Sequence, residues 1–232
     1  MEHAEMPNLE GKKSHLPGTT AGRVGGVILA GGHSRRMGCD KAELRLESET
    51  FLQRICRVLS GHFQPLVVVC RPDQAVGFRE LLTGPSFLPP PIVITDQHPE
   101  RGPLEGLATA LEFLAGQAIP LAGVTTCDAP LIQPTLLYWL AEQLETSHDA
   151  VMPSDDQHLY GLTAVYRTEA GTTLRQLLEQ GERRIIDLPR QIAVRIVTCD
   201  ACRAADPQLL SFLNANTPEE YRAVCQRAAA ES

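Results

Sequence analysis

Apolar and polar positions along this chain come in blocks. Continuous apolar runs occur at Val27, Ile28 and Leu29, and again in "PLVVVCR", "PIVITD" and "AGVTTCD". Unbroken runs of this kind suit strands covered on both faces. Between them the spacing becomes helical. In "TFLQRICRVLS", Phe51, Leu52, Ile55, Val58 and Leu59 share one stripe. In "GPLEGLATALEFLAG" the stripe is Leu104, Leu107, Leu111 and Leu114, and Pro103 suits the first helical turn. "PTLLYWLAEQLE" and "TTLRQLLEQG" predict two further helices, the second stopped by Gly181. "AELRLE", "AVMP" and "GLTAVY" predict short strands. A last helix is predicted over "NTPEEYRAVCQRAAA", where Thr217 and Glu220 make a capping box and Pro218 takes the first helical position.

Strands alternate with helices over the first 145 residues. That alternation predicts an α/β, Rossmann-like three-layer αβα sandwich with a mostly parallel central sheet. A length of 232 residues suits one α/β domain with a substantial core. Residues 1–22 are polar and rich in turn formers, and are expected to form a disordered tail without a secretory signal.

Charge narrows the function. The formal net charge is −7, which argues against tight nucleic-acid binding, since that rests on clustered Lys and Arg. No apolar run reaches the roughly 18 residues that predict a membrane-spanning helix. Seven cysteines are scattered without a dense framework, so a reducing, cytoplasmic setting is expected. Cys199 and Cys202 have C-x-x-C spacing but no second pair or matching histidines, and read as a plain loop. Cys127 reads as core packing.

Against that acidic background, one basic loop stands out. "VILAGGHSRRMGCDK" passes from strand to glycine to cation within fifteen residues. Ligands of open α/β sheets bind beyond the carboxyl ends of the strands, where this loop is expected. Gly31 and Gly32 let backbone N–H groups approach a phosphate, Ser34 can donate to one, and Arg36 and Lys41 supply charge. Arg35 points elsewhere in this reading, and Asp40 either orients Lys41 or solvates the loop. The spacing fits neither a Walker A loop nor the dinucleotide fingerprint. The plain alternative is a glycine turn with solvated charges. Asp96 and Asp128 each close an apolar strand; Asp128 is open to two readings, a metal ligand at the sheet edge or a helix or turn cap, and Asp96 reads from the pattern as a strand-end turn residue.

"LAGGHSRRMGCDKA" resembles the signature L-A-G-G-x-S-x-R-M-G-x-D-K of the MobA-type molybdenum cofactor guanylyltransferases, within the nucleotidyltransferase superfamily. "ITDQHPERGPLEGL", "TTCDAPLI", "GERRI" and "NANTPEE" resemble that family's later blocks in the same order. The matches run from about Val24 to Val224, and put one nucleotidyltransferase domain at residues 23–230. The resemblance implies transfer of GMP from GTP to molybdopterin with release of pyrophosphate and use of Mg²⁺. It implies Leu29, Ala30, Gly31, Gly32, Ser34, Lys41, Asp96 and Asp128 at the nucleotide. It also implies Arg36, Lys41 and Asp128 in catalysis, with Asp128 on the metal. Arg183, Arg184, Asn214 and Asn216 are the candidates for the second substrate; the plain alternatives are a solvated loop for the arginines and a helix cap for Asn216. Expected protein partners are molybdopterin-handling proteins and molybdoenzyme apoproteins. Where some relatives carry an Asn after the second core strand, this sequence has Cys70 and Arg71.

Overall fold

The computed structural model describes residues 23–31, 41–96 and 98–231. The expected tail at 1–22 lies outside them, as do Gly32, Ser34, Arg35, Arg36 and Asp40. Seven of the described strands form one sheet. They are β1 (Val24–Leu29), β4 (Leu66–Cys70), β5 (Ile92–Thr95), β6 (Leu121–Thr126), β7 (Ala150–Ser154), β8 (Ala164–Arg167) and β9 (Val194–Thr198). Their order across the sheet is β5-β4-β1-β6-β8-β7-β9. β8 pairs antiparallel with both β6 and β7, and the other pairings are parallel. β2 (Arg45–Leu46) and β3 (Glu49–Thr50) make a separate small ribbon.

The alternation of apolar side chains in the central strands builds two cores. Ile28 and Val68 face one side, with Leu52, Ile55 and Leu59 of α1 (Phe51–Ser60) and Leu136, Leu137 and Leu140 of α4 (Pro134–Glu142). Val27, Leu29, Val67 and Val69 face the other, with Leu104, Leu107, Leu111 and Leu114 of α3 (Pro103–Gly116) and Leu174 of α5 (Ala170–Glu179). Strands buried on both faces are what the unbroken apolar runs require. The mostly parallel αβα layering is as expected.

The chain leaves β1 for β4 on one flank and later returns to β6 on the other. That reversal opens a crevice at the carboxyl ends of β1, β4 and β6, the usual place for a ligand in such sheets. The last helix, α7 (Pro218–Glu231), is set by the predicted capping box. Thr217 Oγ1 accepts from Glu220 N at 3.2 Å, and the Glu220 carboxylate accepts from Thr217 N at 3.2 Å and Asn216 N at 2.6 Å. Gly181 has φ 97°, a left-handed turn just past α5 that glycine adopts without strain.

Several local expectations change. The short strand expected in "AELRLE" is present as β2 but is only two residues long, because a 3-10 turn at Lys41–Glu43 takes the start of the stretch. The turn between Lys41 and Glu43 is what aims Lys41 inward. "CDAC" is not a plain loop but a short helix, α6 (Cys199–Cys202), because Thr198 Oγ1 accepts from Ala201 N at 3.2 Å and starts the turn. Burial pushes the Cys199 thiol up to about 11, with the Asp155 charge adding to it, and Cys202 up to about 12. Both thiols therefore stay protonated at neutral pH. Two elements carried too little pattern to predict. α2 (Ala75–Leu81) has only Ala75 and Phe78 buried, and β9 buries only Val197. Among the described residues, no helix is long and apolar enough to cross a membrane.

Candidate active site

Three chain segments far apart in sequence meet at the crevice. Lys41 Nζ donates to Asp128 Oδ2 at 2.8 Å and also to Asn216 Oδ1. Asp128 sits just past β6, and its other oxygen accepts from the Thr126 hydroxyl. The Asp128 carbonyl accepts from Ala215 N at 2.9 Å. The end of β6 is thus tied directly to the segment that carries Asn216 to the site. Asn216 precedes the Thr217 cap, so the capping box fixes its position. The Lys41–Asp128 pair is only about one-fifth exposed on either side. Two oxygens, one carboxylate and one amide, converge on a single cation. A donor set of that kind suits a hard divalent cation, which takes one or two carboxylates and completes its shell with substrate oxygens.

Two cavities lie at this edge of the sheet, and Asp128 lines the second. The first, about 330 Å³, lies between the ends of β1, β4 and β5 and the start of α3. Leu29, Gly31, Val69, Asp96, Pro103 and Gly106 line it. Ala30 N donates to Val69 O at 2.8 Å, so Ala30 continues the β1–β4 ladder up to the cavity. Asp96 is 5 % exposed, and its Oδ1 accepts from His98 N at 2.8 Å. Burial holds its carboxyl above the usual aspartate value. The His98 amide opposes this, and the charges of Glu105 and Glu100 add to it. At Gly106 an added Cβ would sit at ordinary contact distance, 3.6 Å from Leu29 Cδ2 and 3.7 Å from Asp96 Oδ2, so this position faces the cavity without being crowded. Such a mostly apolar slot with one buried acceptor fits a flat base bearing N–H donors.

The second cavity, about 420 Å³, is more open in make-up and mixes chemistries. Asp128, Thr126 and Asn214 line it together with Arg183, Arg184 and Tyr160. Pro103 lines both cavities, so the first turn of α3 stands between them. That turn is anchored. Glu105 is 1 % exposed and is bonded by Arg175 NH1 of α5, and Arg101 NH1 lies 3.5 Å from its other oxygen. Arg175 also donates to Glu112 at 2.9 and 3.1 Å.

The expected site residues therefore fall into two groups around one centre. Leu29, Gly31 and Asp96 gather at the first cavity; Lys41, Asp128 and Asn216 gather at the centre; Arg183, Arg184 and Asn214 gather with Asp128 at the second. Arg183 already spends its guanidinium on Leu178 O and Glu182 O at 2.6 Å each, closing the end of α5. Arg184 keeps its side chain 72 % exposed, with Asp187 at 3.5 Å. Cys70 turns away from the crevice; it is fully buried and its thiol donates to Ile94 O at 3.7 Å. Sequence reasoning passed over Thr126, Pro103, Gly106 and Tyr160. Pro103 and Gly106 stood within the G-P-L-x-G block and were signalled by it, whereas Tyr160 had no sequence signal.

Comparison with known proteins agrees with this architecture. A "Probable molybdenum cofactor guanylyltransferase" of Methanothermobacter thermautotrophicus is 36% identical over 204 residues, covering 84% of this chain and 96% of that protein. One of the same name from Natronomonas pharaonis is 33% identical over 204 residues, covering 87% and 96%. The crystal structure of molybdopterin-guanine dinucleotide biosynthesis protein A from Archaeoglobus fulgidus superposes with a TM-score of 0.73 at 25% identity, covering 88% of this chain and 98% of that one. The family model of the MobA-like NTP transferase domain matches residues 26–198, and the chain belongs to that family.

Proposed function

We propose that this protein transfers GMP from GTP to molybdopterin, releasing pyrophosphate and forming molybdopterin guanine dinucleotide. One observation carries the reading above the family match. Lys41 and Asn216 converge on Asp128, which lines the second cavity, and Pro103 walls both that cavity and the first one, which holds Asp96. A transferase joining two large substrates needs two adjacent pockets and a charged centre at their junction.

In the transfer, the terminal phosphate oxygen of molybdopterin attacks the α-phosphorus of GTP. A new P–O bond forms, and the bond to the β-phosphate oxygen breaks with its electrons leaving on pyrophosphate. Both reactants are anions, so catalysis is mostly positioning and charge neutralisation. In this reading Asp96 accepts hydrogen bonds from the guanine or ribose, and the backbone of Leu29, Ala30 and Gly31 lines the base. Lys41 exchanges its carboxylate partner for the β- and γ-phosphates and stabilises charge on the leaving group. Arg36 and Ser34 join it from the glycine loop, with Gly32 allowing close backbone approach. Arg184 and Asn214 hold the acceptor, and Arg183 fixes the loop that carries Arg184.

Asp128 and Asn216 would hold Mg²⁺, for which a carboxylate and an amide oxygen are suitable donors. Bound there, the ion supplies charge neutralisation at the transferring phosphates. The test is pyrophosphate release from the purified protein with molybdopterin and Mg²⁺, run with GTP, CTP and ATP in parallel, with products weighed by mass spectrometry. Release with GTP alone and a product heavier by GMP is expected. Preferential turnover of CTP, or none with any nucleotide, would overturn the reading.

A further inference from the structure

The second cavity has a wall that lies outside the five matching blocks. It is the turn between β7 and β8, which carries His158, Leu159, Tyr160, Leu162 and Thr163 to the lining. β7 runs parallel to β9, and antiparallel to β8, which is itself antiparallel to β6. The carboxyl end of β7 therefore emerges at the same sheet edge as Asp128, and the turn after it faces the acceptor side.

This turn is polar and lies at the surface, yet it is clasped around one carboxylate. Asp155 Oδ1 accepts from Gln157 N at 2.8 Å and His158 N at 2.7 Å, and Oδ2 accepts from the Tyr160 hydroxyl at 2.7 Å. Asp155 N donates back to His158 O at 3.0 Å, Ser154 Oγ donates to the same carbonyl at 3.0 Å, and Tyr160 N donates to Pro153 O at 2.8 Å. The Tyr160 hydroxyl and the two amides pull the Asp155 carboxyl down to about 2, so it is ionised throughout the neutral range. The ring of Tyr160 packs on Phe212 at 4.7 Å between centroids, and His158 lies 6.0 Å from it. Phe212 in turn sits two residues before Asn214, on the segment that bonds to Asp128.

The consequence is a pre-set aromatic surface. With its hydroxyl proton spent on Asp155, Tyr160 has no side-chain donor left for the cavity and offers it the ring and an acceptor oxygen. Leu162 and Ile185 extend the apolar lining, and Arg184 stands beside it as a cation. Apolar and aromatic lining with a guanidinium at its side is complementary to a flat heterocycle that ends in an anion. We infer that the Asp155-clasped turn selects the second substrate, an anion built on a flat heteroaromatic ring, with Tyr160 as the specificity-determining contact and Asp155 as the residue that positions it. The inference rests on the transfer reaction proposed above for the identity of that substrate, and on the cavity alone for its chemical class.

The test compares Tyr160→Ala, Tyr160→Phe and Asp155→Asn with the wild type. Two measurements are made: steady-state GMP transfer with each substrate varied, and fluorescence titration of molybdopterin without nucleotide. Stacking contacts removed by alanine cost about tenfold or more in affinity. Tyr160→Ala should therefore raise KM for molybdopterin, and weaken its binding, by about tenfold, with KM for GTP held within about twofold. Tyr160→Phe keeps the ring and should stay within about threefold of wild type; Asp155→Asn should fall between the two. Unchanged molybdopterin binding in Tyr160→Ala, or an equal rise in both KM values, overturns the inference. Because the titration needs no turnover, the two claims separate. Tenfold weaker binding by Tyr160→Ala in a protein that transfers no GMP removes the reaction and keeps the wall. Transfer by wild type with equal binding by both proteins does the reverse.

Discussion

The two cavities flanking Pro103 are built by different means. The first rests on strand ends: Leu29 at the end of β1, Gly31 just past it, Val69 in β4 and Asp96 after β5 are held by the ladder itself, and α3 packs against them at Gly106. The second rests on connections: the β7–β8 turn, the segment after α5 and the chain before α7. A strand-end pocket inherits the rigidity of the core. A loop pocket has to be made rigid locally, and here that is done by side chains such as Asp155, Glu182 and Arg183. The base-binding half of such a molecule is thus fixed by its fold, while the acceptor half is fixed by a few hydrogen bonds and can vary with them.

The centre carries the charges that meet the phosphates in the proposed transfer, and disturbing it should have the largest effect. Lys41→Ala removes the cation from Asp128 and Asn216. The expected result is a fall in kcat of about 10²- to 10³-fold, the usual cost of losing one preorganised charge at a phosphoryl or acyl centre. Circular dichroism should remain that of the wild type. A loss of kcat below tenfold would show that Lys41 is a structural partner of Asp128 and nothing more.

The partition comes next. Arg175→Ala strands Glu105, a carboxylate that is 1 % exposed, with only Arg101 at 3.5 Å. Leaving one member of a buried pair costs about 3 kcal/mol. In a chain of this size that lowers Tm by roughly 6–12 °C. Because α3 walls both cavities, KM for both substrates should rise together. A melting temperature within 2 °C of wild type, on the order of the noise in such scans, would mean that the network braces nothing.

Two glycines give a sharper contrast between the halves. A Cβ at Gly161 would lie 2.3 Å from Ile185 Cγ2, while one at Gly106 meets nothing nearer than 3.6 Å. Gly161→Ala must displace Ile185, which lines the second cavity beside it, at a cost of about 1–3 kcal/mol. It should raise KM for the acceptor and leave KM for GTP alone. Gly106→Ala gains helix propensity and should be close to neutral in stability. Equal effects of the two on the acceptor would erase the distinction between the halves.

The same contrast explains what could be read from the sequence. Asp96 and Asp128 were legible because an apolar run that ends in a charge marks a strand reaching the sheet edge. Lys41 and Asn216 were legible through their blocks, and the Thr217–Glu220 box gave the exact seat of α7. Pairing of Lys41 with Asn216 was not legible, since it depends on how the last helix folds back onto β6. Tyr160 was silent for a further reason. "SDDQHLYG" has the composition of any solvated turn, and its meaning comes from β7 ending at the ligand edge and from one carboxylate that organises it. The edge strand β9 and the half-exposed α2 were missed because little of either is buried, so no apolar period marks them.

The smallest effect concerns Asp96, and its sign is informative. Burial holds this carboxyl above its ordinary value of 3.8, so the folded state binds the proton more tightly than the unfolded chain does. Ionising Asp96 therefore costs stability at neutral pH. That cost is relieved as pH falls through the raised value, and below 3.8 both states are protonated and nothing further is gained. Asp96→Asn removes the charge and keeps an oxygen for the His98 amide, so Tm should rise slightly at pH 7 and the difference should vanish in acid. GTP affinity should move the other way, because an ionised carboxylate is the stronger acceptor for the N–H and O–H donors of a nucleoside. Wild-type affinity should likewise decline as pH drops through the raised value, before an exposed aspartate would protonate. Thermal melts and GTP titrations carried from neutral pH down past 3.8 check both directions. If Asp96→Asn lowers Tm at pH 7, the carboxylate is held by a stabilising partner; the first cavity then owes its acid to the fold, and nucleotide binding alone does not explain it.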